Sequence, residues 1–316
     1  GSAMTEGDLY NVLVGHGAGS SITTGNRNIA VGVSAMDGFD TETHNLGIGV
    51  ASLGGPVAGG EYNVAVGNYT LDALTSADFV TAVGYDAGGA ITTGGYNTLI
   101  GHTTGHAMTS GNVNTAVGHH ALGTNTVGDR NVAVGSGALS TFNPSSNTDD
   151  NNTAVGQNAL KTATTANENT AIGWDALTLN TGGQYNTAVG SGVMAANTTG
   201  AENTAVGSDA LDANTEGDEN TAIGFAAMGA NTTGADNVAV GQRALDANTT
   251  GNTNVAIGEN AMGANTTAAN NIAIGSQAMA ANTTGTRNIA IGVNAYDASD
   301  TENDNVAIGY NAMTTN

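Results

Sequence analysis

The chain contains no cysteine, 2 prolines, 4% aromatic residues, and 5 lysine and arginine residues against 27 aspartate and glutamate residues. With so few large side chains it cannot fill a thick globular core. Its formal net charge of −22 repels phosphate backbones and anionic lipid headgroups, so no nucleic-acid partner is expected. The lack of cysteine leaves the redox compartment open, because an exposed rod can do without disulfides.

Long apolar runs and targeting signals are also missing. No stretch of about 18 apolar residues could span a bilayer, and the N-terminus lacks the basic and apolar regions of a signal peptide. The start, Gly1-Ser2-Ala3-Met4, is typical of residues left by cloning, and we expect residues 1–10 to comprise this scar and an N-terminal cap. The chain stops in the middle of a repeat, so we expect it to be a fragment.

A five-residue pattern dominates what is present: Asn, a β-branched residue, Ala, Val or Ile, then Gly. Eighteen copies begin between residues 11 and 305, at intervals of 17 residues with two exceptions. One extra residue precedes Asn63 and four precede Asn152, near residues 142–151, and both are predicted to be loop insertions. Residues 11–316 are therefore predicted to form a single repeat domain.

We call each repeat a rung and number its positions from the asparagine. Position four is always Val or Ile, which favour extended backbone, and positions two and four share one face of a short predicted strand. Position three, usually Ala, lies on the opposite face, where little room is implied. Position five is always Gly, which indicates a turn with positive φ or a very close neighbouring backbone. Turn glycines assigned in this way include Gly156, Gly173, Gly190, Gly207 and Gly224.

A second apolar pair, Ala followed by Leu or Met, occupies positions eight and nine, and Asn-Thr-Thr-Gly commonly closes the rung. Frequent Gly, Asn and β-branched residues exclude long helices. The sequence thus predicts an all-β parallel solenoid of about 18 rungs, each with two short strands and two turns. At about 4.8 Å per rung, it would form a rod of roughly 85 Å.

Position twelve holds large apolar residues early in the chain and asparagine later, a combination that indicates a buried site. Side-chain amides stacked on successive rungs could hydrogen-bond along the rod as an interior ladder. The alternative is an exposed Asn-Thr turn without a ladder. The predicted ladder comprises Asn180, Asn197, Asn214, Asn231, Asn248, Asn265 and Asn282.

The segments Asn203-Thr204-Ala205-Val206-Gly207 and Asn271-Ile272-Ala273-Ile274-Gly275 resemble the head repeat of trimeric autotransporter adhesins. The longer unit, Asn-Thr-Ala-Val-Gly-x-x-Ala-Leu-x-x-Asn-Thr-Thr-Gly, is similar to repeat arrays of phage tail-fibre proteins. The resemblance covers residues 11–316, although the adhesin heads have somewhat shorter rungs. It implies a left-handed β-roll and a homotrimer, while the sequence by itself leaves the handedness open. A thin roll would also leave one sheet face uncovered, which three copies around an axis could bury.

The expected function is that of a non-enzymatic fibre, an adhesin or tail-fibre segment on a bacterial surface or virion. Its expected partners are further copies of itself and a host glycan or matrix protein. Aromatic residues after the turn could stack on sugars, although they are expected to be scattered without forming a continuous patch. These glycan-binding candidates are Tyr69, Tyr85, Trp174, Phe225 and Tyr310.

Two other possibilities arise from the repeat. His16, His102 and His119 share position six and could converge on a metal, but this variable position favours exposed imidazoles, so no metal or cofactor is expected. Threonines recurring at position thirteen, such as Thr198, Thr232, Thr249, Thr266 and Thr283, leave an ice-binding solenoid as the alternative function. No combination of nucleophile, base and acid stands out, so no enzymatic activity is expected.

Overall fold

The computed structural model describes residues 10–56, 58–146, 150–297 and 301–314, so most of the expected N-terminal scar and cap, together with residues 147–149 of the second insertion, lie outside the described residues. The chain divides into two compact units, Gly1–Thr165 and Ala166–Asn316. The single-domain assignment stays a prediction.

Each rung contributes one three-residue strand at positions two to four. Strands of the first unit are β1 Val12–Val14, β2 Ile29–Val31, β3 Leu46–Ile48, β4 Val64–Val66, β5 Thr81–Val83, β6 Thr98–Ile100, β7 Thr115–Val117, β8 Val132–Val134 and β9 Thr153–Val155. Strands of the second unit are β10 Thr170–Ile172, β11 Thr187–Val189, β12 Thr204–Val206, β13 Thr221–Ile223, β14 Val238–Val240, β15 Val255–Ile257, β16 Ile272–Ile274, β17 Ile289–Ile291 and β18 Val306–Ile308. The all-β parallel solenoid is thereby confirmed.

Within each unit, consecutive strands pair in parallel and in register, so that equivalent positions of the repeat lie beside one another. Ala188 lies opposite Ala205, for example. The register survives both insertions, because Leu46 pairs with Val64 and Val132 pairs with Thr153. Extra residues are accommodated outside the strands. In the described part of the chain, no helix is long and apolar enough to cross a membrane.

The interior is formed by positions three, eight, nine and twelve. In the rung of β12, Ala205, Ala210, Leu211 and Asn214 are all fully buried. The small alanine on the inner face of the strand leaves space for the larger side chain at position nine. Each rung is therefore a thin coil whose core is completed by the rungs beside it.

Where position three is large, position nine becomes glycine. Leu99 replaces the usual alanine. Position nine is glycine both in the same rung, at Gly105, and in the preceding rung, at Gly88. A Cβ at Gly105 would lie 3.0 Å from Leu99 Cδ2, and one at Gly88 would lie 2.9 Å from Leu99 Cδ1. The volumes of the two positions compensate, as close packing of a thin core requires.

The prediction of a second strand in each rung is wrong for the described residues, where positions eight and nine form turns. Residues at positions seven and nine adopt left-handed backbone conformations, such as Asp209 with φ 57° and Leu211 with φ 51°. Their amides still bond to adjacent rungs, since Leu211 N donates to Ala227 O at 3.0 Å and Asp209 N to Ser191 O at 3.0 Å. These inter-rung bonds compensate for a conformation that costs roughly 1–2 kcal/mol per residue.

Position five combines both features that the invariant glycine suggested. Gly207 has φ +129°, and a Cβ there would lie 2.6 Å from the carbonyl oxygen of Gly224 in the next rung. The other predicted turn glycines have φ values of 136° at Gly156, 138° at Gly173, 140° at Gly190 and 136° at Gly224. Any side chain at Gly207 would therefore meet backbone that has no room to move.

Candidate interaction surfaces

On the outward face of the strands, position four always holds an exposed or half-buried apolar side chain, whereas position two holds either an apolar residue or threonine. At position four, Val206, Ile223 and Ile257 are 37%, 40% and 38% exposed. Because strand pairing is in register, these side chains form a continuous apolar column within the second unit. We call the outward side chains at positions two and four the strand face. Exposed apolar surfaces of this kind mark sites where another protein packs.

A column of stacked rings flanks the strand face in the first unit. His44, Tyr62, Phe79 and Tyr96 occupy the last position of consecutive rungs, with successive ring centroids 4.8, 5.2 and 5.1 Å apart and interplanar angles of 17°, 3° and 20°. The sequence interpretation missed this column, although Tyr62, Phe79 and Tyr96 recur at intervals of 17 residues. Its rings cover one another's faces and present their edges outward.

A second column flanks the opposite edge of the same face. Tyr85 stacks on His102 at 5.3 Å, His102 stacks on His119 at 5.5 Å, and Tyr69 meets Tyr85 edge to face at 5.7 Å. Tyr69 and Tyr85 thus adjoin each other, and the prediction that the aromatic residues form no continuous patch is wrong here. The rung stacking brings equivalent positions within one strand spacing. It also covers a face of Tyr85 that a sugar would need.

The remaining aromatic candidates lie apart in the second unit. Trp174, Phe225 and Tyr310 are 56%, 47% and 76% exposed at position six of the rungs that contain β10, β13 and β18. Across the residues described by the structure, no ring contact involves any of the three. Their separation within this unit agrees with the expectation of scattered aromatics, and their ring faces are not occupied by other rings.

A shallow groove of about 380 Å³ is lined by residues that include Asp175, Leu179, Gly192, Asp209 and Asp212. Asp175 directly follows Trp174 in the sequence. Gly192 leaves a gap between the carboxylates of the neighbouring rungs. Burial raises the pKa of Asp212 above its ordinary value, and the charge of Asp209 raises it further. The groove is therefore acidic and partly desolvated.

The predicted ladder residues are fully buried, whereas the alternative assignment placed them in an exposed turn. Nδ2 of Asn214 donates to Oδ1 of Asn197 at 2.9 Å, and the same bond links each pair of neighbours from Asn180 to Asn265. Asn282 instead donates to Gly285 O at 3.0 Å, and its Oδ1 accepts no hydrogen bond from the described residues.

A second asparagine ladder runs through position one, whose structural role the sequence interpretation did not assign. Asn203 donates from its backbone N to Asn186 Oδ1 of the preceding rung at 3.1 Å, and from Nδ2 to Gly217 O, at position fifteen of its own rung, at 2.8 Å. One amide therefore joins the preceding rung to the closing turn of its own rung. The nearly constant asparagine before each strand was the signal for this ladder.

Neither the structure nor known proteins assign a chemical activity. The described residues contain no group of three or more His, Cys, Asp or Glu side chains that could hold a metal ion. Comparison with protein-family models, curated proteins and solved structures finds no match. The strand face, the two ring columns and the exposed aromatics of the second unit are thus the candidate surfaces.

Proposed function

We propose that this chain is a segment of a non-enzymatic trimeric fibre, an adhesin or tail fibre outside the cell on a bacterial surface or a phage virion. The single observation that carries the proposal is the exposed apolar column at position four of the strand face. The resemblance of the repeat to trimeric adhesin heads and tail fibres supports it.

The spacing of the strand face favours a further copy of the same chain as its partner. Its apolar side chains recur once per rung, at the spacing of paired strands, about 4.8 Å. A partner that matches many rungs must have the same repeat, and a second copy has it. Three copies arranged around an axis would bury the strand face of each, as closed symmetry allows.

The proposed receptor is a host glycan or matrix protein. Trp174 and Phe225 are the strongest glycan candidates, because a sugar can stack only on a ring face that is open. Tyr85 is a weaker candidate, since His102 and Tyr69 pack against its ring.

The labelled full chain should be tested on arrays of glycans and matrix proteins. At about pH 7.5 we expect Trp174→Ala and Phe225→Ala to abolish glycan binding, whereas Val293→Ala, an exposed position-six control in the same unit, should leave it intact. Failure of the chain to bind any arrayed ligand would contradict the receptor-binding part of the proposal.

An ice-binding solenoid has less support. The position-thirteen threonines are half-buried, and their hydroxyls donate to the backbone of the next rung: Thr198 Oγ1 to Thr215 O at 2.9 Å, and Thr232 Oγ1 to Thr249 O at 2.9 Å. Hydroxyls engaged in this way do not present a free array to water. We therefore expect no thermal hysteresis and no shaping of ice crystals.

A further inference from the structure

Four histidines of two adjacent rungs form one surface cluster in the first unit. His102 and His119 stack at 5.5 Å, His119 and His120 lie 6.1 Å apart, and His106 and His120 lie 6.2 Å apart, all measured between ring centroids. We call these four residues the histidine cluster. His102, His106 and His119 are exposed and His120 is half-buried, so the imidazoles can be reached from solvent.

The repeat explains why the four rings meet. His102 and His119 occupy position six of consecutive rungs, whereas His106 is at position ten and His120 at position seven. The His120 ring folds over Gly123 of its own rung, in the space that a side chain there would fill. Tyr85 stacks on the other face of His102, with ring centroids 5.3 Å apart.

Few acidic groups face the cluster, although the chain as a whole is acidic. His106 Nδ1 lies 3.7 Å from Asp86 Oδ2. Beyond it is Asp72, whose pKa is raised by burial and by the charge of Asp86. Thr103 lies beside His102, and the next rung contributes Ser136 and Gly137 at positions six and seven. Among these neighbours, only the two aspartates are charged, and both lie on the His106 side.

Protonation would therefore place several positive charges close together with too few carboxylates to balance them. Burial lowers the pKa of His120 below its ordinary value of 6.5, and the charges of His106 and His119 lower it further. An anion held between the rings would relieve this repulsion. Each imidazolium also offers two N–H donors, and charge-assisted hydrogen bonds to an anion are about twice as strong as neutral ones.

We propose that the histidine cluster, once protonated, binds the sulfate or carboxylate group of an acidic glycan. The carrier of the group rests on the proposed function, since a surface fibre meets glycans, whereas the anion site itself rests on the four histidines. Binding should strengthen as pH falls below about 6.5, where imidazoles gain their charge.

A transition metal would show the opposite pH dependence. Metals bind neutral imidazole, so their affinity rises with pH. Although the four rings are neighbours, no three His, Cys, Asp or Glu side chains among the described residues are arranged so that they could hold one metal ion. The direction of the pH dependence thus separates the two kinds of ligand.

Titration of the full chain, labelled at histidine Cε1, with sodium sulfate at constant ionic strength would test the proposal by NMR. We expect saturable shifts of the four cluster resonances at about pH 5.5 and at least tenfold weaker binding at about pH 7.5. His16 and His44, which lie outside the cluster, are internal controls. His106→Gln with His120→Gln should abolish the response of His102 and His119. Absence of saturation, equal shifts at His16, or tighter binding at the higher pH would each overturn the proposal.

A sulfated hexasaccharide and its desulfated counterpart, titrated in the same way, identify the carrier. The sulfated form should bind at least tenfold more tightly, and equal binding of both would overturn an acidic glycan as the ligand. The molar mass of the same samples reports on the fibre separately. A monomeric chain that still binds sulfate would contradict the trimer alone. A trimer that does not bind sulfate would contradict the anion site alone.

Discussion

Nδ2 of Asn248 donates a hydrogen bond to Oδ1 of Asn231, 2.9 Å away in the preceding rung, and both side chains are fully buried. Asn231 in turn donates to Asn214 Oδ1 at 2.9 Å and to Gly234 O at 2.9 Å. Each amide satisfies the next one and a turn carbonyl of its own rung. Polar groups can therefore occupy the core of a thin solenoid without an unmet desolvation cost.

Replacing Asn231 by alanine should be strongly destabilising. The change removes one of the two acceptors of Asn248 Nδ2, removes the donor to Asn214 Oδ1, and leaves a cavity in place of the amide. Buried unsatisfied groups cost about 1–3 kcal/mol each, so a loss of about 2–4 kcal/mol is expected in urea unfolding. Thr233→Ala, at an exposed position two residues away, is the control and should change the midpoint little. Equal stability of the two variants would contradict a ladder that stabilises the fold.

Gly207→Ala should be more damaging than Gly192→Ala, although both glycines have positive φ. Gly207 has φ +129° and faces the backbone of Gly224, whereas Gly192 has φ +66° and faces only the movable Asp209 carboxylate. Alanine already occupies the equivalent of Gly192 at Ala226, with φ 51°. We expect a loss of about 3 kcal/mol or more at Gly207 and about 1 kcal/mol at Gly192. Thermal unfolding of both variants measures the difference, and similar melting temperatures would contradict the close backbone approach.

Leu99→Ala should be rescued in part by Gly105→Leu. The single substitution opens a cavity between rungs and should cost about 2–5 kcal/mol. Leucine at position nine is native elsewhere with a similar backbone, since Leu211 has φ 51° and Gly105 has φ +56°. A double-mutant cycle should show a favourable coupling of about 1–3 kcal/mol. Additive losses would mean that the two volumes do not compensate each other.

Asp212→Asn should stabilise the folded chain at neutral pH. The folded state raises the pKa of Asp212 above 3.8, so the carboxyl adds stability below that pH and loses it as pH rises through the folded pKa. The variant should thus gain up to about 0.5 kcal/mol at neutral pH, a gain that disappears on acidification. Asp236→Asn, which removes the same charge from an exposed position, is the control. Melting temperatures of both variants across the pH range measure this difference. The same change in both variants would contradict a specific effect of the Asp212 carboxyl.

The strand and the glycine turn were predictable because both recur at fixed positions in every rung. Identical residues at a fixed interval are expected to repeat one backbone conformation. Pairs such as Val206 and Gly207 therefore identify the end of the strand and the start of the turn in each rung. The backbone at Leu211 was not predictable, because leucine has no preference for the left-handed conformation and is held there by bonds to the adjacent rung.

The surface columns were only partly accessible from the sequence. Stacking of Tyr85 on His102 follows directly from their 17-residue separation, yet apparent scatter along the chain concealed it. The contact of His106 with His120 depends on side chains from positions ten and seven that lean towards each other. Their spacing in the sequence does not predict this contact, which depends on how the two rungs are stacked.

Charges on the strand face should prevent assembly without unfolding the chain. Val206→Glu combined with Ile257→Glu would place carboxylates in an apolar interface, while both positions remain exposed in a single chain. The matched control is Thr233→Glu with Thr250→Glu, which adds the same charge at exposed turn positions. We expect dissociation of the first variant and an unchanged assembly of the second, with the circular dichroism of both intact.

The most direct test of the fibre is the molar mass of the unmodified chain in solution, measured by light scattering coupled to size-exclusion chromatography. We predict a value close to three times the 31.0 kDa of one chain. A value close to 31.0 kDa at concentrations where the fold is intact would contradict the trimeric fibre.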